Sequence, residues 1–385
     1  MTREALGVAV VGFGWMGHVH SRAYLRALHH YPEVGLAPRL MMAVDPEPER
    51  QREAMDRYGF ESSSSRWEDV VADERIRAVS VTTPNSLHRD VATALASAGK
   101  HLWLEKPVGL ILSDVEEVAS AVETAGVQTS VGFNYRNVPA VERASQLIAK
   151  GDIGTPTTGS FFMMSDYAAD PEVGFSWRFR RDVGGNGVLG DMASHAVDLV
   201  RYTLGEIGSL VADSAIFIEK RPSPIGKGSQ FSRASGELQQ VENDDYVRSL
   251  FRSVNGAHGV LEASRVSVGD KCRYGFDIHG SGGTLSWDFR RMGELVFSTA
   301  GSTKAESVST SLVGPGDGEL GRFQPAAGIA MSYDDLKVIE AARFLQSIAS
   351  GVPCGATIRD ALAAGKVLDA MGRSSQTRTW TDITR

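Results

Sequence analysis

Cysteine is almost absent from this chain. Among 385 residues only Cys272 and Cys354 occur. That excludes a disulfide framework or a cysteine-rich zinc site, and two free thiols in a reducing cytoplasm are expected. Long apolar runs are lacking as well. None approaches the roughly 20 residues of a membrane span, and the opening residues MTREALG do not have the pattern of a signal peptide. Positive charge is not in excess. The formal net charge is −7 and the sequence pI is about 5.8, which argues against a phosphate-coating surface for nucleic acid. Internal repeats are absent too.

What is present is enough apolar material, 42% of residues, to bury a substantial core. The length suggests two domains. The organising stretch is VAVVGFGWMGHVH at 8–20. An apolar strand runs into Gly12, Gly14 and Gly17, and a helix is expected at once, over about 16–28. Strand, G-x-G-x-x-G and helix are the order in which a Rossmann fold binds a dinucleotide pyrophosphate. Gly12 suits the tight turn, Gly14 lets phosphate approach bare backbone, and Gly17 lets the helix pack close to the strand. The anion then meets free N–H groups at a helix N-terminus.

Further strands are expected at 40–44, 78–83, 101–104 and 128–133, alternating with helices at 47–58, 67–72, 85–98 and 115–125. The loop 29–39 is broken by Pro32, Gly35 and Pro38. Alternation of this kind predicts a parallel sheet with crossover helices, whose ligands lie outside the carboxyl ends of the strands. Gly12, Asp45, Thr83 and Lys106 all fall at such ends. Asp45 is placed to accept from the adenosine ribose hydroxyls and to repel a 2′-phosphate, favouring NAD over NADP. Arg50 and Arg52 are read as exposed helix residues.

From about residue 134 the texture changes. A helix at 138–150 is followed by strand-like runs at 159–165, 210–218, 246–254, 260–268, 274–279, 284–289 and 295–298, with few helices between them. Asn255-Gly256 is a hairpin signal. This predicts a mostly antiparallel sheet. Two polar loops, 220–236 and 299–328, are read as excursions over the site or toward a partner subunit. Helices at 333–350 and 358–371 close the chain. The fold class is therefore α/β: a Rossmann domain over 1–133, then an α+β domain over 134–385.

The second chemical cluster is GGNGVLGDMASHAVDLVRY at 184–202. A glycine-rich turn delivers Asp191 to the start of a helix, with His195 four residues on and on the same face. A carboxylate beside an imidazole fixes its tautomer and raises its basicity. Asp198 could support that face from the other side. An N-cap aspartate beside a core histidine would look the same. A metal pair lacks a third ligand, so no metal is expected. Lys106 is either a surface lysine before a turn proline or, facing the nicotinamide crevice, a group that opposes charge on a developing alkoxide.

Taken together, the glycine motif, TTPN at 82–85, EKP at 105–107, GFNYR at 132–136 and Gly190-Asp191…His195 resemble the Gfo/Idh/MocA family. The segments FNYRNVPAV, SWRFR and GDMASHAVDLVRY and the WDF stretch look most like the family's bacterial inositol and levoglucosan dehydrogenases. The resemblance implies a Rossmann domain followed by an open sheet that often builds homodimers or homotetramers. It implies a catalytic group of Lys106, Asp191 and His195, and a cis peptide before Pro107. The implied cofactor is NAD, held by Gly12, Phe13, Gly14, Trp15, Met16, Gly17, Asp45, Thr83, Pro84, Asn85, His88, Glu105, Lys106 and Asn134. Tyr135 and Arg136 match a segment near nicotinamide and substrate, while Asp166, Trp177 and Arg178 lie in a stretch that approaches the sugar or packs at its rim. The expected reaction is oxidation of a secondary hydroxyl of a pyranose, an anhydrosugar or a cyclic polyol. Remaining alternatives are an inositol dehydrogenase, a 3-ketosugar reductase (with Arg178, Arg180 and Arg181 as the only nearby diphosphate ligands), an NAD-dependent glycoside hydrolase and a non-catalytic dinucleotide sensor.

Overall fold

A computed structural model describes residues 3–225, 232–299 and 307–384. The chain divides into two compact units, Met1–Asn134 with Met331–Ala363, and Tyr135–Ala330 with Ala364–Arg385.

The first unit opens with β1 (Glu4–Val11), α1 (Trp15–His30), β2 (Leu36–Val44), α2 (Pro48–Tyr58), β3 (Ser62–Ser64) and α3 (Glu68–Ala72). It continues with β4 (Ile76–Val81), α4 (His88–Ser97), β5 (His101–Leu104), α5 (Leu112–Ala125) and β6 (Thr129–Val131). All strands are parallel, in the order β3-β2-β1-β4-β5-β6. That is the doubly wound order, with its crevice at the carboxyl ends of β1 and β4. β1 is apolar without alternation because Leu6 through Val11 are buried on both faces at the centre of the sheet.

Two details depart from the sequence reading. β2 begins at Leu36 and runs through Pro38, a residue whose type marks a loop breaker in the sequence. β3 pairs only with Met42–Val44, so Pro38 lies where the outer side of β2 has no partner strand and a missing N–H is tolerated. β3 itself is three serines and carries no apolar signal. The helix expected from 85 begins as α4 at His88, and residues 85–87 form a tight 3-10 turn leading into it.

The second unit contains α6 (Pro139–Lys150), β7 (Pro156–Met164), the one-turn α7 (Arg181–Gly184) and α8 (Ser194–Leu204). Strands β8 (Ile207–Ala215), β9 (Lys220–Pro222), β10 (Leu238–Gln240), β11 (Tyr246–Ser253), β12 (His258–Ser264) and β13 (Arg273–Gly280) follow. After them come β14 (Gly283–Asp288), β15 (Glu294–Thr299), β16 (Ser309–Leu312) and the one-turn α9 (Leu320–Phe323). Nine strands form one sheet, β16-β15-β14-β13-β7-β12-β11-β8-β17, where β17 is Thr381–Asp382. Every neighbouring pair is antiparallel except β7 and β12. β11 alternates as a one-sided strand must: Val247, Ser249, Phe251 and Ser253 are buried, while Arg248, Leu250 and Arg252 are exposed. The polar loops are not structureless. β9 opens the first and pairs with β10 just beyond its end, and β16 adds a sheet edge in the second. Residues 226–231 and 300–306 of those loops lie outside the described residues.

The chain then contributes α10 (Tyr333–Ser350) to the first unit, and α11 (Ile358–Thr377) runs from the first unit into the second. A single cut at 133/134 is therefore not how the chain divides. α10 packs along α1, tied by Arg22 to Asp334 at 2.6 Å and by Arg26 to Asp335 at 2.5 Å. Helical periodicity marks α10 correctly but does not say which sheet it covers.

Candidate active site

In the first unit the three glycines have different reasons to be glycine. Gly12 turns the chain at φ +90°, and a Cβ there would lie 2.7 Å from the Thr82 carbonyl oxygen. A Cβ at Gly17 would lie 2.5 Å from the Gly12 carbonyl oxygen. Gly14 has no protein atom within 4 Å of its Cβ position. Only a group outside the protein gives Gly14 a steric role. It stands immediately before α1, whose first N–H groups are free for an anion.

Asp45 is buried at the end of β2. Its carboxylate accepts the Phe13 N–H at 2.8 Å and the Glu47 N–H at 3.0 Å, and the Arg50 guanidinium lies 3.4 Å away. An ionised carboxylate has about four lone-pair positions, so capacity remains for ribose hydroxyls. The Asn134 side chain is buried, and neither its amide nitrogen nor its amide oxygen has a hydrogen-bond partner among the described residues. The Thr83 hydroxyl is in the same condition. Buried polar atoms without partners are rare and costly. These two, with the open Gly14 cradle, fit a bound dinucleotide.

Other residues expected at the cofactor also make contacts within the protein. The Phe13 ring is buried against His18, Tyr58 and Phe60. His88 has one ring nitrogen 2.7 Å from the Pro107 carbonyl oxygen and the other 2.9 Å from that of Thr83. It bridges the turn after β4 and the turn after β5; burial lowers its pKa, while the two carbonyl oxygens raise it. Trp15 is exposed and stacks on Tyr333 of α10 at 5.4 Å, with the Met16 sulfur beside the Tyr333 hydroxyl. The peptide between Lys106 and Pro107 is cis, as the family resemblance implies.

Glu105 belongs to a fully enclosed charge cluster. Its Oε1 accepts from Lys337 Nζ at 2.6 Å and from His20 Nε2 at 3.0 Å. Lys337 also donates to Glu340 at 2.9 Å. Burial drives the His20 pKa down to about 4 and that of Glu340 up to about 7. A neutral His20 facing an acceptor-only carboxylate carries its proton on Nε2, so Nδ1 accepts from Ser80, whose oxygen in turn accepts from Tyr24. His20, Glu105 and Glu340 could together ligate a cation, but the Lys337 ammonium already fills that role.

In the second unit Asp191 lies in a wide π-helical turn, Leu189–Ala193, which leads directly into α8. His195 is the second residue of α8, and the buried Tyr135 meets its ring edge-on at 4.7 Å. One oxygen of Asp191 accepts the Tyr167 hydroxyl at 3.1 Å. Tyr167 was not singled out in the sequence, where the charged Asp166 beside it was the more conspicuous residue. Asp166 pairs with exposed Lys271 at 2.6 Å and accepts the Gly269 N–H. Asp198 forms a two-pronged pair with Arg136, buried on α8. The Arg178 guanidinium covers the Trp177 ring at 4.3 Å, and the Arg178 carbonyl is held by Asn243. Arg180 pairs with Asp182 and Arg181 with the Glu242 carbonyl, so two of the three arginines considered for a diphosphate are already engaged.

Residues 6–133 match the model of an oxidoreductase family with an NAD-binding Rossmann fold, and residues 141–286 match the Gfo/Idh/MocA C-terminal domain. This chain belongs to the Gfo/Idh/MocA family. It is an oxidoreductase, and its dinucleotide is NAD. It is 33% identical to levoglucosan dehydrogenase of Pseudarthrobacter phenanthrenivorans, over 99% of this chain and 98% of that protein. Identity with scyllo-inositol 2-dehydrogenase (NAD(+)) of Bacillus subtilis is 29%, over 70% of this chain and 69% of that one. Among solved structures, levoglucosan dehydrogenase in complex with NADH and levoglucosan superposes with a TM-score of 0.92 at 32% identity, covering 99% of this chain and 100% of that one. Among the described residues no helix is long and apolar enough to cross a membrane.

Proposed function

We propose that this protein is an NAD-dependent dehydrogenase that oxidises a secondary hydroxyl of a pyranose, preferably a levoglucosan-like anhydrosugar, to the ketone. The observation that carries this reading is the end-to-end likeness to levoglucosan dehydrogenase. Lys106, Asp191 and His195 are all present. A cyclic polyol is the second reading, favoured by the likeness to an inositol dehydrogenase.

Asp191 orients His195, and His195 takes the hydroxyl proton. Lys106 holds the same oxygen as negative charge develops on it. Bound NAD supplies the hydride acceptor. Tyr135, Trp177 and Arg178 shape the sugar's surroundings. Gly14, Asp45, Thr83 and Asn134 hold the dinucleotide. The enzyme works in the cytoplasm as a homo-oligomer, supported by exposed Phe217 and Leu250 near β8 and on β11; a monomer by light scattering would contradict that part.

Removing a positioned acid–base group lowers turnover by about 10²–10⁴-fold. Lys106→Ala and His195→Ala are expected to lose turnover to this extent while still binding NADH, read by fluorescence titration. A near-normal kcat in His195→Ala would remove it from the proton-transfer role.

A further inference from the structure

The Asp191 carboxylate is met by a tyrosine hydroxyl whose chain segment is hydrogen-bonded to two buried arginines. Tyr167 follows β7. The next residue, Ala168, donates its N–H to the Arg265 carbonyl at 3.0 Å, and its own carbonyl accepts from Arg221. Arg221 also reaches the Asp170 carbonyl at 2.9 Å. Arg221 and Arg265 are both buried, and their guanidinium groups lie over the Phe179 ring at 4.4 and 4.7 Å. Arg265 is paired with buried Asp245 at 2.8 Å. Two buried guanidinium groups are expensive unless paired and hydrogen-bonded. Here Arg221 donates to the carbonyls on either side of Ala169, and Arg265 donates to the Asp245 carboxylate and to Asn243. Together they fix where Tyr167 can point.

The Tyr167 ring packs beside Ala168, Phe179 and Val241. A phenylalanine would serve that contact equally. The hydroxyl is what differs, and it is directed at Asp191. Burial and the neighbouring carboxylate raise its pKa, so it is a donor and not a base.

We propose that Tyr167 is a positioning residue whose phenol hydroxyl donates to Asp191 and fixes that carboxylate in the orientation that serves His195. It rests on the reading that Asp191 and His195 act on the substrate hydroxyl. A hydrogen bond to a charged group is worth enough that its loss lowers a rate about 10–100-fold.

The test is a double-mutant cycle of Tyr167→Phe and Asp191→Ala, with kcat, KM for NAD and thermal midpoint measured for each. Tyr167→Phe is expected to lower kcat about 10–100-fold, with KM for NAD unchanged and the midpoint lowered by no more than a few degrees. In the Asp191→Ala background the same change is expected to have no further effect. A wild-type kcat in Tyr167→Phe, with Asp191→Ala impaired, would overturn the positioning role and leave the catalytic reading intact. So would equal losses in both backgrounds. A wild-type kcat in Asp191→Ala would instead overturn the reading beneath it.

Discussion

The carboxylate of Asp45 accepts two backbone N–H groups before any ribose reaches it. It thereby shapes the glycine turn through Phe13. The Arg50 guanidinium rests 3.4 Å from it, which a reading of Arg50 as a solvated helix residue misses. Asp45→Ala removes the charge that repels a 2′-phosphate and releases an arginine suited to bind one. The ratio of kcat/KM for NAD over NADP is expected to fall about tenfold or more. An unchanged ratio would show that the ribose is recognised elsewhere. At this scale the sequence is most legible where a residue sits in a motif with fixed offsets, as Gly12 and Gly17 do at the turn after β1. It is least legible where a side chain turns inward. His88 and Glu105 lie in cofactor motifs, yet their polar atoms bind Thr83, Pro107, Lys337 and His20. Tyr167 stands past a strand end, where alternation no longer says which way a side chain faces.

Among the elements, α10 shows the same limit. Its bounds follow from Ser332 and Asp335, which form a capping box, and from Gly351 beyond its end. Its place does not. The buried stretch Leu336–Ala342 includes Lys337 and Glu340, and polar residues inside a helix read as a solvated face. Only their partners on α1 and at the end of β5 explain them. The elements of the first unit also share a titration. Burial lowers the pKa of His18 and His20 on α1, His88 on α4 and His101 on β5. A histidine kept neutral in the fold binds its proton more readily when unfolded. Stability is therefore full above the unfolded pKa of about 6.5 and is lost as pH falls through the folded value, about 4 for His20. Glu340, raised to about 7, works in the opposite sense but offsets one group against four. The thermal midpoint is expected to drop by several degrees between about pH 6.5 and 4. A level midpoint across that interval would mean that these histidines are already charged in the fold.

For the whole molecule, the parallel sheet and the antiparallel sheet were both legible, because their strands carry different patterns: continuous apolar runs in β1 and alternation in β11. The return of Met331–Ala363 to the first unit was not, since no local pattern records which sheet a distant helix covers. The β9–β10 ribbon and β16 were hidden by polar composition. Residues 6–133 match an NAD-binding Rossmann fold, and the substrate is the point that most needs a measurement. The most direct measurement follows NADH absorbance as the purified enzyme and NAD are mixed in turn with levoglucosan, glucose, xylose, methyl glucosides, and myo- and scyllo-inositol. The account predicts NADH accumulating in proportion to substrate consumed, fastest with levoglucosan or another pyranose and slower with NADP in place of NAD. Consumption of a glycoside with no net NADH, or no turnover of any sugar or polyol, would contradict it.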